Sequence, residues 1–222
     1  MVVPEYPVWE IEEKAESLLR EAYRNRYPYT IPLTAVDVEL VAERALGLRI
    51  HHMPALRSGF GVDGLLGRDR EGRCIIIVDK DLFDHQNQHR YRFTFAEEVG
   101  HYVLHLGHLP KVTSSEQAIR LYLSIENSDT AERNAKRFAA ALLMPMPSFE
   151  RQAAGIYAAL RECASGNTGE QLINRLVALL VKFFRVSPEA VRYRLTEYPA
   201  RLIDRIQMAL QEGLPTLPPR SP

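Results

Sequence analysis

The sequence predicts an α+β fold: a small sheet packed on one long central helix, followed by an all-helical C-terminal segment. Three observations carry that prediction. Cys74-Ile75-Ile76-Ile77-Val78 is an apolar, β-favouring run just after the turn chemistry of Asp69-Arg70-Glu71-Gly72. Arg92 to His105 interleaves apolar and titratable residues at helical spacing. Beyond Pro147 every periodic stretch has the helical repeat.

Taken in order, Val8 to Tyr27 carries Trp9, Ile11, Ala15, Leu18, Leu19, Ala22 and Tyr23 with helical period, and Pro28 closes it. Thr34 with Asp37 resembles a capping box that opens a second helix. Its apolar face is Val36, Val38, Leu40, Val41 and Leu46, and Gly47 is its expected C-cap. Leu48 to His52 has the character of a short strand ending in His51 and His52, whose expected role is ordinary hydrogen bonding at a strand edge. Gly59, Gly61 and Gly64 are expected at turns and bulges, since no lysine or helix start follows them as in a phosphate loop. Gly64 to Gly67 and Arg73 to Asp79 then form a hairpin, with Gly72 at positive φ.

After the central helix, Gly107-His108-Leu109-Pro110 is a stop, and Lys111 to Asn127 is expected to make an excursion over one face. Ser128 or Asp129 caps the next helix, Thr130 to Leu143. Helices are then expected over Phe149–Cys163, Gly169–Phe184, Glu189–Leu195 and Ala200–Gln211, with Ser187 as N-cap before Pro188. The tail from Leu214 is proline-rich and expected to be extended.

Composition bounds the function. A chain of 222 residues is long enough for one full domain and a smaller appendage, expected here at 1–147 and 148–222. The formal charge is zero, so no global basic field attracts nucleic acid or anionic lipid. Cys74 and Cys163 are the only cysteines and form no secreted disulfide framework. With no signal-peptide pattern at Met1 to Pro7 and no membrane-length apolar run, the expected location is cytoplasmic.

The chemistry concentrates on the central helix. Glu97, His101 and His105 stand four apart and share one face, flanked by Thr94 and Glu98. Phe93, Phe95, Ala96, Val99, Val103 and Leu104 require most of the helix to be buried. Buried carboxylates and imidazoles need partners, and a metal ion would satisfy the whole stripe. The spacing is that of the H-E-x-x-H zinc helix, with Glu97 at the first ligand position, so that the frame is E-E-x-x-H. Glu132, beside the alanine face of the next helix, is either a solvated boundary residue or a ligand. Tyr91 and Tyr102 either offer a hydroxyl to an oxyanion or belong to the core.

The run Phe93-Thr94-Phe95-Ala96-Glu97-Glu98-Val99-Gly100-His101-Tyr102-Val103-Leu104-His105 resembles the F-T-x-A-H-E-x-G-H-x-x-L-H block of ImmA/IrrE-type metallopeptidases. Three further segments agree with that family in order and spacing. They are Cys74 to Asp79, Ala131 to Pro145, and Phe183 to Leu195 with its F-x-V-S-x-x-A-V-x-x-R-L pattern. The resemblance covers residues 34–195.

It implies a small zincin-like peptidase domain followed by a helical, helix-turn-helix-like subdomain. Position by position it implies Glu97, His101 and Glu132 as metal ligands and Glu98 as the catalytic general base. His105 is then either a substitute ligand or a residue behind the ligands. The implied cofactor is zinc, with Mn²⁺ or Fe²⁺ suited by an oxygen-richer set. The implied partner is a transcriptional repressor of the Xre helix-turn-helix type, cut in stress or mobile-element regulation. The sequence departs from the family pattern at Glu97, Asn134 and Lys136. Two carboxylate ligands leave the ion less acidifying, so the expected hydrolysis is weakened. The alternative is an inactive peptidase fold that binds a repressor or DNA, its acids paired to Arg92 or Arg137. Arg175, Lys182, Arg185, Arg192, Arg194, Arg201 and Arg205 make the C-terminal region locally basic. They are equally an ion-paired solvated face, and Pro188, Glu189 and Ala190 are poor base readers, so a protein partner is expected before DNA.

Overall fold

The computed structural model describes residues 3–23, 35–68, 71–83, 88–106, 129–163, 168–197 and 201–219. Among them lie three strands and nine α-helices, an α+β arrangement. Helix α1 spans Val8–Tyr23 and α2 Val38–Leu46. Strand β1, Arg49–Met53, leads to the short α3, Leu56–Phe60. Strands β2, Gly64–Arg68, and β3, Cys74–Asp79, follow, with a 3₁₀ turn at Lys80–Phe83. The central helix α4 is Gln88–His105, and α5 is Asp129–Leu143. Four helices complete the chain: α6 (Met146–Cys163), α7 (Gly169–Phe184), α8 (Pro188–Thr196) and α9 (Leu202–Gln211).

The sheet has the order β1-β3-β2. Strand β3 pairs parallel with β1, Ile50 opposite Ile76, and antiparallel with β2, Leu66 opposite Ile76. The antiparallel pair is the hairpin expected from the turn residues, and Gly72 takes φ 79°. Ile76, Val78 and Leu66 are buried, which sets the inward face of the sheet. One apolar cluster runs from Ile11 through that face and α4 to Ala209, so the C-terminal helices share a core with the sheet.

Four local expectations are corrected. Helix α2 starts later than Thr34: Asp37 is its N-cap, its carboxylate accepting from the Leu40 N–H at 3.1 Å. Val36 stands before the helix, where it is buried. The glycines after Pro54 do not simply turn the chain; Leu56–Phe60 closes one helical turn capped by Gly61 at φ 76°. Helix α6 starts at Met146, because Pro147 falls in its first turn, where a missing N–H costs nothing. Gly47, Ser187 and Pro188 cap as expected, with Gly47 at φ 64° and the Ser187 hydroxyl accepting from the Ala190 N–H at 3.1 Å. The capping contact of Thr34 and the expectations for Asp69-Arg70, Gly107 to Ser128 and Gly166 lie outside the described residues. No described helix is long and apolar enough to cross a membrane.

Candidate metal centre

Helices α4 and α5 approach closely because Gly100 faces α5. A Cβ there would stand 3.1 Å from the Ala135 carbonyl oxygen and 3.2 Å from the Phe138 Cβ. That contact lets side chains on the two helices meet without spanning a gap. The His101 Nε2 lies 3.2 Å from the Glu132 Oε1. Two donors held about 2.1 Å from one tetrahedral ion stand about 3.4 Å apart, so this pair has ligand-like separation.

The far side of the His101 ring meets His105, with Nδ1 to Nδ1 at 3.1 Å in the buried interior. One of these nitrogens must carry the proton. With the proton on His101, its Nε2 presents a bare lone pair to the Glu132 carboxylate. A cation between them satisfies both lone pairs; with the proton on His105 instead, the His101 Nε2–H donates to Glu132 Oε1. His105 therefore backs His101, on the ring edge away from Glu132.

Glu98 and Glu97 occupy the same cleft, a cavity of about 580 Å³ between α4, α5 and the Phe60–Gly64 segment. Glu98 is 5% exposed and lies under Gly64 of β2. A Cβ at Gly64 would stand 2.8 Å from Thr94 Cγ2 and 3.2 Å from Glu98 Oε1. The glycine is thus required by close approach of the edge strand to the acid. In the sequence Gly64 shows as a turn residue and as the start of a hairpin strand; its contact with Glu98 is visible only in the fold. Burial, and then repulsion from Glu132, push the Glu97 carboxyl up to about 7, with Lys136 partly offsetting them. Lys136 lies 3.8 Å from Glu132.

The donor chemistry fits a divalent cation in part. His101 and Glu132 meet, and Glu97 adds a third donor on the same wall. Among the described residues, however, no three His, Cys, Asp or Glu side chains are gathered into one metal-holding group. The arginines of the inactive alternative are elsewhere. Arg92 donates to the Arg185 carbonyl at 3.1 Å, closing the end of α7, and Arg137 lies 3.8 Å from Glu5.

The tyrosines belong to other places. The Tyr91 hydroxyl donates to Glu39 at 2.6 Å and meets His52 Nε2 at 3.1 Å, away from the cleft, and Tyr102 packs against the core. The basic C-terminal residues are largely engaged. Arg194 is fully buried, paired with Glu12 at 2.5 Å and Glu197 at 3.1 Å. Arg201 pairs with Asp204 at 2.8 Å, Arg205 with Glu150 at 2.8 Å, and Arg192 donates to Asn174 at 2.6 Å.

A search of curated proteins finds no match to the chain. The family model described as an IrrE N-terminal-like domain matches residues 67–196, which spans β3, the α4–α5 cleft and α8. That match covers more than half of the chain and includes Thr94, Glu97, Glu98, His101, Glu132 and Lys136 of the cleft, while the Phe60–Gly64 wall lies before it. The chain belongs to the IrrE N-terminal-like metallopeptidase family.

Proposed function

We propose that the chain is a metal-dependent endopeptidase of the ImmA/IrrE type. In this reading Glu97, His101 and Glu132 hold one divalent cation, zinc or, with this oxygen-rich set, Mn²⁺ or Fe²⁺. The observation that carries the reading is the 3.2 Å approach of His101 Nε2 to Glu132 Oε1 between two helices, with Glu98 buried in the same cleft. When bound, the cation supplies Lewis acidity toward the scissile carbonyl. Glu98 accepts the proton of the attacking water and returns it to the leaving amine nitrogen. His105 holds the His101 ring in the orientation that points Nε2 into the cleft. Gly64 and Thr94 wall Glu98 from bulk water, which strengthens its interaction with the reacting groups.

The proposed substrate is a protein, an Xre-type repressor in stress or mobile-element regulation, as the family resemblance implies. Glu97 in place of an imidazole weakens the reaction. The second reading, an inactive fold that binds the repressor or DNA, is favoured by the absence of a gathered three-donor group among the described residues. Elemental analysis and a peptide-cleavage assay on the purified chain separate the two. The peptidase reading expects close to one metal per chain, much less in Glu97→Ala, and cleavage abolished by Glu98→Gln. Equal metal in wild type and Glu97→Ala rejects Glu97 as a ligand. Metal-independent repressor binding with no cleavage establishes the second reading. A Glu97→His chain is expected to bind metal more tightly and to turn over faster.

A further inference from the structure

A second trough, of about 1020 Å³, opens off the cleft. Asp63, Thr94, Glu97, Glu132 and Lys136 line both, so a polypeptide lying across the cleft runs on into the trough. Phe93 and Ala140 line it from α4 and α5, and α8 contributes Glu189, Ala190 and Tyr193. Three basic side chains along it are already engaged. Arg90 Nε donates to Asp63 at 2.8 Å, Lys136 lies 3.8 Å from Glu132, and Arg133 lies 3.5 Å from Glu5.

Tyr193 stands out among these residues. It is 46% exposed, and its hydroxyl makes only a long contact, 3.4 Å, with Glu197. The Ser187 cap and Pro188 in the first turn fix the backbone that presents it. A rigidly mounted, exposed aromatic on a groove wall is the usual anatomy of a binding hot spot, since its area is buried with little loss of side-chain freedom.

We propose that this trough is a side-chain subsite for the substrate polypeptide, taking an apolar or aromatic side chain between Phe93 and Tyr193. The inference rests on the peptidase reading, because continuity with the cleft is what identifies the occupant. The walls carry five carboxylates, Asp63, Glu97, Asp129, Glu132 and Glu189, against three basic side chains, Arg90, Arg133 and Lys136; this acidic excess disfavours a phosphate backbone, and continuity with the cleft identifies the occupant as polypeptide. Helix α8 thereby reads the substrate, and the helix-turn-helix-like part of the chain becomes part of the peptidase.

The test uses the full chain carrying Glu98→Gln, loaded with Zn²⁺, and fluorescence anisotropy of two labelled dodecapeptide pools. One pool has a fixed central Leu or Phe, the other a fixed central Ser. The apolar pool is expected to bind about tenfold more tightly, a preference worth about one buried side chain. Tyr193→Ala is expected to remove that preference, and Tyr193→Phe to keep it. A preference undiminished in Tyr193→Ala, or none with Tyr193 in place, overturns the subsite. Cleavage of the apolar pool with Glu98 intact is scored separately. A KM raised about tenfold by Tyr193→Ala, with kcat nearly unchanged, supports both readings. Tyr193-dependent binding without cleavage overturns the peptidase reading and keeps the trough as a polypeptide-binding groove. Cleavage indifferent to Tyr193→Ala removes the subsite and leaves the peptidase.

Discussion

Replacing Glu97 by Gln probes the cleft without any substrate. In the metal-free fold the Glu97 carboxyl is pushed up to about 7 by burial and by Glu132. In the unfolded chain it ionises near 4.5. The raised value means that the folded chain holds the proton more firmly, so stability is full below about pH 4.5. It then falls as pH rises from there through about 7. At about 1.4 kcal/mol per pH unit, the distance between the two values sets a ceiling of roughly 3 kcal/mol. Glu97→Gln removes the ionisation. At pH 8, with a chelator present, the variant is expected to be up to about 3 kcal/mol more stable than wild type by urea denaturation. At pH 5 the two should lie within about 1 kcal/mol. Added Zn²⁺ should reverse the order at pH 8, because a ligand that binds only the folded wild type stabilises it by mass action. A difference between wild type and variant that is the same at pH 5 and pH 8 refutes the reasoning.

Other residues carry sharper steric or ionic costs. Gly64→Ala drives a methyl into Thr94 and Glu98, so stability should fall by about 1–3 kcal/mol. Peptide cleavage should fall further than metal content, and unchanged kcat with normal folding contradicts the placement of Glu98. Gly100→Ala prises α4 from α5 at Ala135 and should weaken metal binding as well as stability, both read by calorimetry. Arg194→Ala leaves Glu12 and Glu197 facing each other without their shared buried cation, at a cost of about 3–5 kcal/mol in urea unfolding. A loss below about 1 kcal/mol would mean that α1 is not locked to α8.

What could be read from residues alone followed the range of the forces involved. The four-residue spacing of Glu97, His101 and His105 is a property of one helix, so their common face was visible in advance. The same holds for the Gly72 turn and the Ser187-Pro188 helix start, which depend on a few adjacent residues. The parallel pairing of β1 with β3 was not visible, since it depends on chain closure over α3 and β2. The start of α2 was misplaced because Thr34 and Asp37 both have capping chemistry, and only backbone geometry chooses between them. The helical turn at Leu56–Phe60 hid among glycines that signal turns of any kind. The partner of Arg194 lies 182 residues away in sequence, and no local pattern announces it. In the cleft, the pairing of His101 with Glu132 was expected from the family's order of blocks, whereas the Gly64 contact and the Tyr193 trough emerge only in three dimensions.

The proposed centre is one ion held by a single imidazole and carboxylate oxygens. X-ray absorption at the metal edge of the zinc-loaded chain tests this directly. The predicted spectrum has one imidazole in the first shell, from His101, with oxygen donors completing it. That imidazole signature should vanish in His101→Ala and persist in His105→Phe. Two imidazoles, or a spectrum unchanged by His101→Ala, would contradict it.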